Sequence, residues 1–235
     1  MEKSLKPEEK YGKEYFDLGI GSNYKGGIDY HKWLQPIFKK RLNLLKKHLL
    51  FSLNQIKILD IGCAKGFFLS MCDQEGWETY GVDTSNYALS LAPQYTKAKL
   101  LKLDVSSEKL PFEDDFFEVV VFFDVIEHLE QDDFFLSEIK RVLKDKGTFM
   151  LVTPEGKSRW DKDVTHINIY ERKTLLDKLA KKGFEVLHTE LEKGYSVRII
   201  PLRRFKILNF LNQRVCDALG FYLKGLILAG TINKK

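Results

Sequence analysis

Hydrophobic positions along the chain fall into short near-continuous runs separated by stretches of helical period, the pattern of strands and helices alternating in an α/β sheet. Ile56 to Ile61, Trp77 to Val82, Lys99 to Leu103 and Phe117 to Phe123 read as the first four strands. Phe117-Glu-Val-Val-Val-Phe-Phe is the most hydrophobic of them and belongs at the centre, where both faces are covered. Thr148 to Thr153 follows as a fifth strand, with Phe184 to Leu191 and Leu226 to Ile232 as the last two. Between them, Phe67, Phe68, Leu69, Met71 and Cys72 open a helix that ends near Gly76, and Ser85 makes an N-cap for Asn86 to Tyr95. Phe134, Phe135, Ile139, Val142 and Leu143 mark the next helix with Gly147 as its stop, and Arg172 to Lys182 forms another, stopped by Gly183. Upstream, Leu34, Ile37, Phe38, Leu42, Leu45 and Leu49 give an amphipathic helix over His31 to Leu50, opposed by Lys39, Lys40, Arg41, Lys46 and Lys47. That basic face is read as solvated, with a membrane surface or a phosphate as the alternative contact.

The ends of the first three strands carry the chemistry. Asp60, Asp83 and Asp104 close them in turn, and the first runs straight into Asp60-Ile-Gly-Cys-Ala-Lys-Gly66. Gly62 and Gly66 permit positive φ and close approach of a ligand to the backbone, so a polar or anionic group is expected on this turn. Asp83 lies 23 residues beyond Asp60. In a doubly wound sheet an acid about 20 residues past the glycine turn reaches ribose hydroxyls as a two-oxygen acceptor. The spacing of Gly62, Ala64 and Gly66 misses the dinucleotide fingerprint, which argues against a nucleotide-dependent oxidoreductase.

Asp60-Ile-Gly-Cys-Ala-Lys-Gly66 resembles the first motif of the class I S-adenosylmethionine-dependent methyltransferases, with Ala64 in place of the middle glycine. Gly81-Val-Asp-Thr-Ser resembles the second. The resemblance implies a doubly wound seven-stranded sheet, mostly parallel, in order 3-2-1-4-5-7-6 with strand 7 antiparallel and helices on both faces. It also implies S-adenosylmethionine as cofactor and S-adenosylhomocysteine as product. Asp60, Gly62, Cys63, Ala64 and Gly66 would then hold the methionine end, Asp83 and Thr84 the ribose, and Asp104 and Val105 the adenine, with Asp124 closing the fourth strand beside them.

Glu127-His128 after that strand resembles a pair in the ubiquinone-pathway O-methyltransferases. A base that removes a hydroxyl proton helps methyl transfer to oxygen, and imidazole titrates near neutral pH. His128 is therefore a candidate base, set against a packed histidine that merely closes the strand end. His166, in His166-Ile-Asn-Ile-Tyr170, rivals it, with a loop-locking hydrogen bond as the alternative. Glu127 and His128, with one further acid, also offer ligands to a divalent cation; a metal is left open as a cofactor, and no residue is assigned to one. The Asn-Pro-Pro-Tyr signature of amino methylation is absent after the fourth strand, which favours an oxygen over a nitrogen on a small-molecule, sugar or lipid-linked acceptor. A cofactor-binding protein or partner subunit without transferase activity is the rival from another class.

Composition narrows this further. At 235 residues and 44% apolar the chain can bury one full core. A net charge of +5, spread along the sequence, is too weak to call for nucleic acid. Cys63, Cys72 and Cys216 form no zinc spacing and no even-numbered framework, which fits a reducing cytoplasm. No signal peptide and no apolar run of roughly 20 residues appears, so a cytoplasmic location is expected. The expected organisation is a lid segment and amphipathic helix over residues 1–50, then the cofactor-binding domain over 51–235. The lid is read from glycines interleaved with Tyr11, Tyr15, Phe16, Tyr24 and Tyr30, with an edge segment packed on the domain as the other reading. A helical insertion is expected at about 193–224, where it would cap the acceptor site, make a dimer contact, rest on a membrane or add packing. Acceptor identity and oligomeric state stay open.

Overall fold

The structure is a computed structural model that describes residues 10–20, 29–49, 56–156, 163–196, 222–232 and 234. Its centre is a seven-stranded sheet in the order β3-β2-β1-β4-β5-β7-β6. The strands are β1 (Lys57–Ile61), β2 (Glu78–Asp83), β3 (Lys99–Lys102), β4 (Phe117–Phe123), β5 (Leu143–Pro154), β6 (Phe184–Ser196) and β7 (Tyr222–Ile232). β1 to β5 pair in parallel, while β7 runs antiparallel between β5 and β6. Among the described residues five α-helices accompany the sheet: α1 (Tyr30–Lys47), α2 (Phe67–Gln74), α3 (Asn86–Leu91), α4 (Asp132–Val142) and α5 (Arg172–Lys181). The expected strand order and the antiparallel β7 are both present.

Strand periodicity divides the core in two. Leu59, Val120, Phe122, Phe149, Leu151, Leu226 and Leu228 join one cluster with Phe135, Ile139 and Val142 of α4 and Leu175 and Leu179 of α5. Their alternate neighbours Ile58, Val119, Val121, Met150, Val152, Ile227 and Ala229 join the other, with Leu42 and Leu45 of α1 and Phe68 and Cys72 of α2. Successive side chains of a strand point to opposite faces, so a near-continuous apolar run is what a sheet covered on both sides needs. Each fully buried Leu, Ile, Val or Phe here contributes about 1.5–3 kcal/mol. Among the described residues no helix is long and apolar enough to cross a membrane.

Four local expectations change. α4 ends at Val142, and Gly147 lies inside β5 rather than at the helix end, because Leu143 pairs with Phe117 before a register shift and Lys146 takes a φ of 58°. Arg41, assigned to the solvated basic face of α1, is 1% exposed; its Nε and Nη2 bond the two carboxylate oxygens of Glu192 on β6. Its guanidinium also lies over the Phe38 and Phe123 rings, 5.6 and 4.8 Å from their centroids. β6 and β7 are longer than the sequence suggests, and Lys193↔Lys224 to Ser196↔Tyr222 continue their pairing. The flanks of the expected helical insertion are thus strand. The helices expected there, and with them Cys216 and Tyr24, lie outside the described residues.

Candidate active site

All parallel strands point their carboxyl ends at one edge, where wound sheets place ligands. A cavity of about 750 Å³ opens there. The turn after β1 enters it first. Gly62 and Cys63 donate their N–H groups to Val82 O at 2.8 and 3.1 Å, which fixes the turn across the end of β2. Gly62 adopts a φ of 74°, and a Cβ there would stand 2.5 Å from Val125 Cγ2. Ala64, where the resembling motif has glycine, also takes a positive φ, of 46°. The following helix is then entered through Gly66, whose φ is 72°.

Asp83 sits at the end of β2, 8% exposed. Oδ2 accepts from the Ala64 N–H and Oδ1 from the Ser85 N–H, each at 2.8 Å. Each oxygen keeps a second lone pair, so the carboxylate can still receive a pair of neighbouring hydroxyls. Burial raises its pKa, opposed by those backbone bonds. Asp60 behind it is pushed well above the carboxylate range, by burial first and by the Asp83 charge second, with Arg41 opposing. Asp104 turns its Oδ1 onto Ser106, and Asp124 follows β4 with a φ of 55°. Burial raises the Cys63 thiol, so it is a packed, protonated group rather than a nucleophile.

Asp60, Gly62, Cys63, Ala64, Asp83, Thr84, Asp104, Val105, Asp124, His128 and His166 all line this cavity, so five separate stretches of the sequence between residues 60 and 166 converge there. Gly66 and Glu127 do not line it. Gly66 serves instead the packing of the turn against Thr96, which a Cβ would meet at 2.5 Å. Glu127 is fully buried beneath the cavity. Its Oε2 accepts from Thr153 Oγ1 at 3.0 Å, Oε1 has no hydrogen-bond partner among the described residues, and burial with the nearby Asp124 charge pushes its pKa well up. Glu127, His128 and His166 each offer a ligand atom within 4.8 Å of the others, so the third partner to a cation would be a histidine rather than the expected acid.

Part of the segment expected as a lid or packed edge, a strap over residues 10–20, lines the cavity through Lys10, Tyr11, Tyr15 and Phe16. Tyr15 donates to Asp163 Oδ2 at 2.7 Å, Ser85 Oγ donates to Tyr11 O, and Lys65 pairs with Asp17 at 2.8 Å. Thr165 was not singled out from sequence. Thr165 bonds His128 Nδ1 through both its hydroxyl, at 2.9 Å, and its carbonyl, at 3.2 Å. Asp163-Val-Thr165 does carry a local signal, since an aspartate accepting from the N–H two residues on makes an Asx turn, and Asp163 Oδ1 does so at 3.0 Å. Tyr30, Trp33 and Phe38 of α1, with Phe68 and Phe123, give the cavity an apolar wall.

A family model described as a methyltransferase domain matches residues 30–189. The ubiquinone biosynthesis O-methyltransferase of Pelagibacter ubique is 31% identical over 103 residues, a stretch that covers 43% of each chain. The chain therefore spans less than half the length of that curated relative. A SAM-dependent methyltransferase from Archaeoglobus fulgidus superposes with a TM-score of 0.60 at 20% identity, over 87% of this chain and all of that one. The 4+2 cyclase SpnF gives 0.61 at 19% identity, over 83% of this chain and 81% of its own. The structural likenesses establish the fold, and the family match covers β1 to β5, the five α-helices and the start of β6. The chain belongs to the methyltransferase-domain family and is built on the class I S-adenosylmethionine-dependent fold.

Proposed function

We propose that the protein binds S-adenosylmethionine across the ends of β1 to β4 and methylates an oxygen of a small-molecule acceptor. The observation that carries this reading is the buried Asp83 carboxylate, held by the Ala64 and Ser85 N–H groups with lone pairs left for a ribose diol. Around it, the Asp60–Gly66 turn would take the methionine end, Asp104 and Val105 the adenine, and the 750 Å³ cavity lies within the usual range for a cofactor-sized ligand. The bound cofactor supplies a methyl group already activated by its sulfonium. The chain's contribution is then alignment, exclusion of water by the strap, and a base. His128 takes the acceptor's hydroxyl proton as the new oxygen–carbon bond forms, a role supported by its place on the cavity wall.

The apolar wall of α1 favours an acceptor with an apolar body, and the O-methyltransferase relative favours oxygen over nitrogen. Thermal shifts test the cofactor directly. S-adenosylhomocysteine at 100 times its dissociation constant adds about 2.7 kcal/mol, while NAD adds nothing. A shift with NAD alone would overturn the reading. Conversion of S-adenosylmethionine with a pool of phenolic and alcoholic acceptors separates a transferase from a protein that only binds the cofactor, a rival kept in view by the cyclase on the same fold.

The unpartnered Glu127 Oε1 favours a second reading of the catalytic corner, with a divalent cation on Glu127, His128 and His166. Activity lost to a chelator and restored by magnesium supports that reading, and indifference to the chelator supports the metal-free base.

A further inference from the structure

The hydrogen bonds beneath His128 fix which of its nitrogens carries the proton. Nδ1 lies 3.2 Å from the carbonyl oxygen of Thr165, and a carbonyl only accepts. Nδ1 must therefore be the donor. It also lies 2.9 Å from Thr165 Oγ1. That hydroxyl has a single proton, and the Asp163 carboxylate, which cannot donate when ionised, takes it at Oδ1. Thr165 Oγ1 is thereby left as an acceptor toward Nδ1–H. A neutral imidazole that donates from Nδ1 keeps its lone pair on Nε2. Asp163 is itself buried, anchored by the Thr165 N–H at Oδ1 and by the strap's Tyr15 hydroxyl at Oδ2.

We propose that Thr165 and Asp163 are positioning residues that hold His128 as the Nδ1–H tautomer, leaving Nε2 to accept the acceptor's proton, and that Tyr15 ties the strap to the same carboxylate. The proposal rests on the assignment of His128 as the base. It adds a dependence: the strap that covers the cavity also supports the hydrogen bond that sets the base. Aspartate orients the base through a threonine rather than directly, and the shared hydroxyl relays direction, not a proton.

The test is ¹⁵N NMR of the full chain labelled at histidine, with the His128 signals assigned by loss in His128→Gln. The expected wild-type spectrum shows His128 protonated on Nδ1. Thr165→Val lowers the Nδ1–H population without abolishing it, because the carbonyl of residue 165 still accepts from Nδ1 while the hydroxyl is lost; Thr165→Ser restores it, and Asp163→Ala weakens the Nδ1–H preference. Tyr15→Phe leaves the tautomer in place but broadens the signals through a looser Asp163. A wild-type His128 protonated on Nε2, or a Thr165→Val protein with unchanged Nδ1–H, overturns the proposal. Calorimetry with S-adenosylhomocysteine on the same samples separates the two levels of the account. Unchanged binding in Thr165→Val confirms an intact fold, so that a tautomer change reports positioning. Absence of binding in the wild type removes the methyltransferase reading without altering what the tautomer shows.

Discussion

Gly62 is where the cofactor turn is least tolerant of a side chain. Its φ of 74° strains any L-residue and a Cβ would press Val125 Cγ2 at 2.5 Å, so Gly62→Ala is expected to cost roughly 1–3 kcal/mol. A fall of several degrees in Tm checks it. Asp60 gives a pH dependence of defined sign. Its folded pKa is raised, by burial first, so the folded protein holds the proton more tightly than the unfolded chain. Stability therefore rises as pH falls through that raised value, and the gain is complete near the ordinary carboxylate pKa of about 3.9. Asp83 and Glu127 act with the same sign, whereas Asp114, Asp133 and Glu138 have lowered values and cost stability only at lower pH still. Asp60→Asn is expected to flatten that rise, read as Tm against pH in the two ligand-free proteins. At this scale the positions of Gly62 and Asp60 were legible because an apolar run, an acid and a glycine turn lie within a few residues, and that of Asp83 because it ends the next strand, 23 residues beyond Asp60. Thr165 was not, because its partner His128 is 37 residues away.

Among the elements, α1 shows what amphipathic patterning misses. Lys39, Lys40, Arg41, Lys46 and Lys47 look alike on a helical wheel, yet Arg41 alone is buried, since a planar guanidinium can meet Glu192 with two bonds and stack on Phe38 and Phe123. The acid that allows this comes from β6, far along the chain. Arg41→Met leaves the Glu192 charge buried alone and is expected to cost about 3–5 kcal/mol in denaturant unfolding. The double variant Arg41→Met/Glu192→Leu is expected to recover most of that loss, because two apolar groups remove both desolvation penalties. Equal destabilisation of single and double variants would contradict the account of this pair. β5 teaches a similar lesson: a glycine after an apolar helical run signals a stop, but the pairing of Leu143 with Phe117 ended the helix earlier and drew Gly147 into the strand.

At the scale of the molecule, the strands of the parallel part were legible because each βα unit repeats one local rule: an apolar run, an acid at its end, a helix start; their order in the sheet was implied only by the resemblance to the methyltransferase motifs. The two-sided core follows from the same runs, whose alternate residues divide between α1 and α2 on one face and α4 and α5 on the other. The end of the cavity proposed for the acceptor was legible only in pieces, the lid segment, His128 and His166, because it is assembled from the strap, α1, the segment after β4 and residues 163–167, which no local pattern links. At the other end of the cavity, the strand-end acid of the sequence and the lone pairs left by the Ala64 and Ser85 N–H groups coincide on Asp83. Isothermal titration of the wild type and Asp83→Ala with S-adenosylhomocysteine tests the ribose role proposed for Asp83 most directly. One site per chain, weakened at least about tenfold by the loss of a charged hydrogen-bonding partner, is the predicted result; no binding by the wild type, or equal affinity in both proteins, would contradict it.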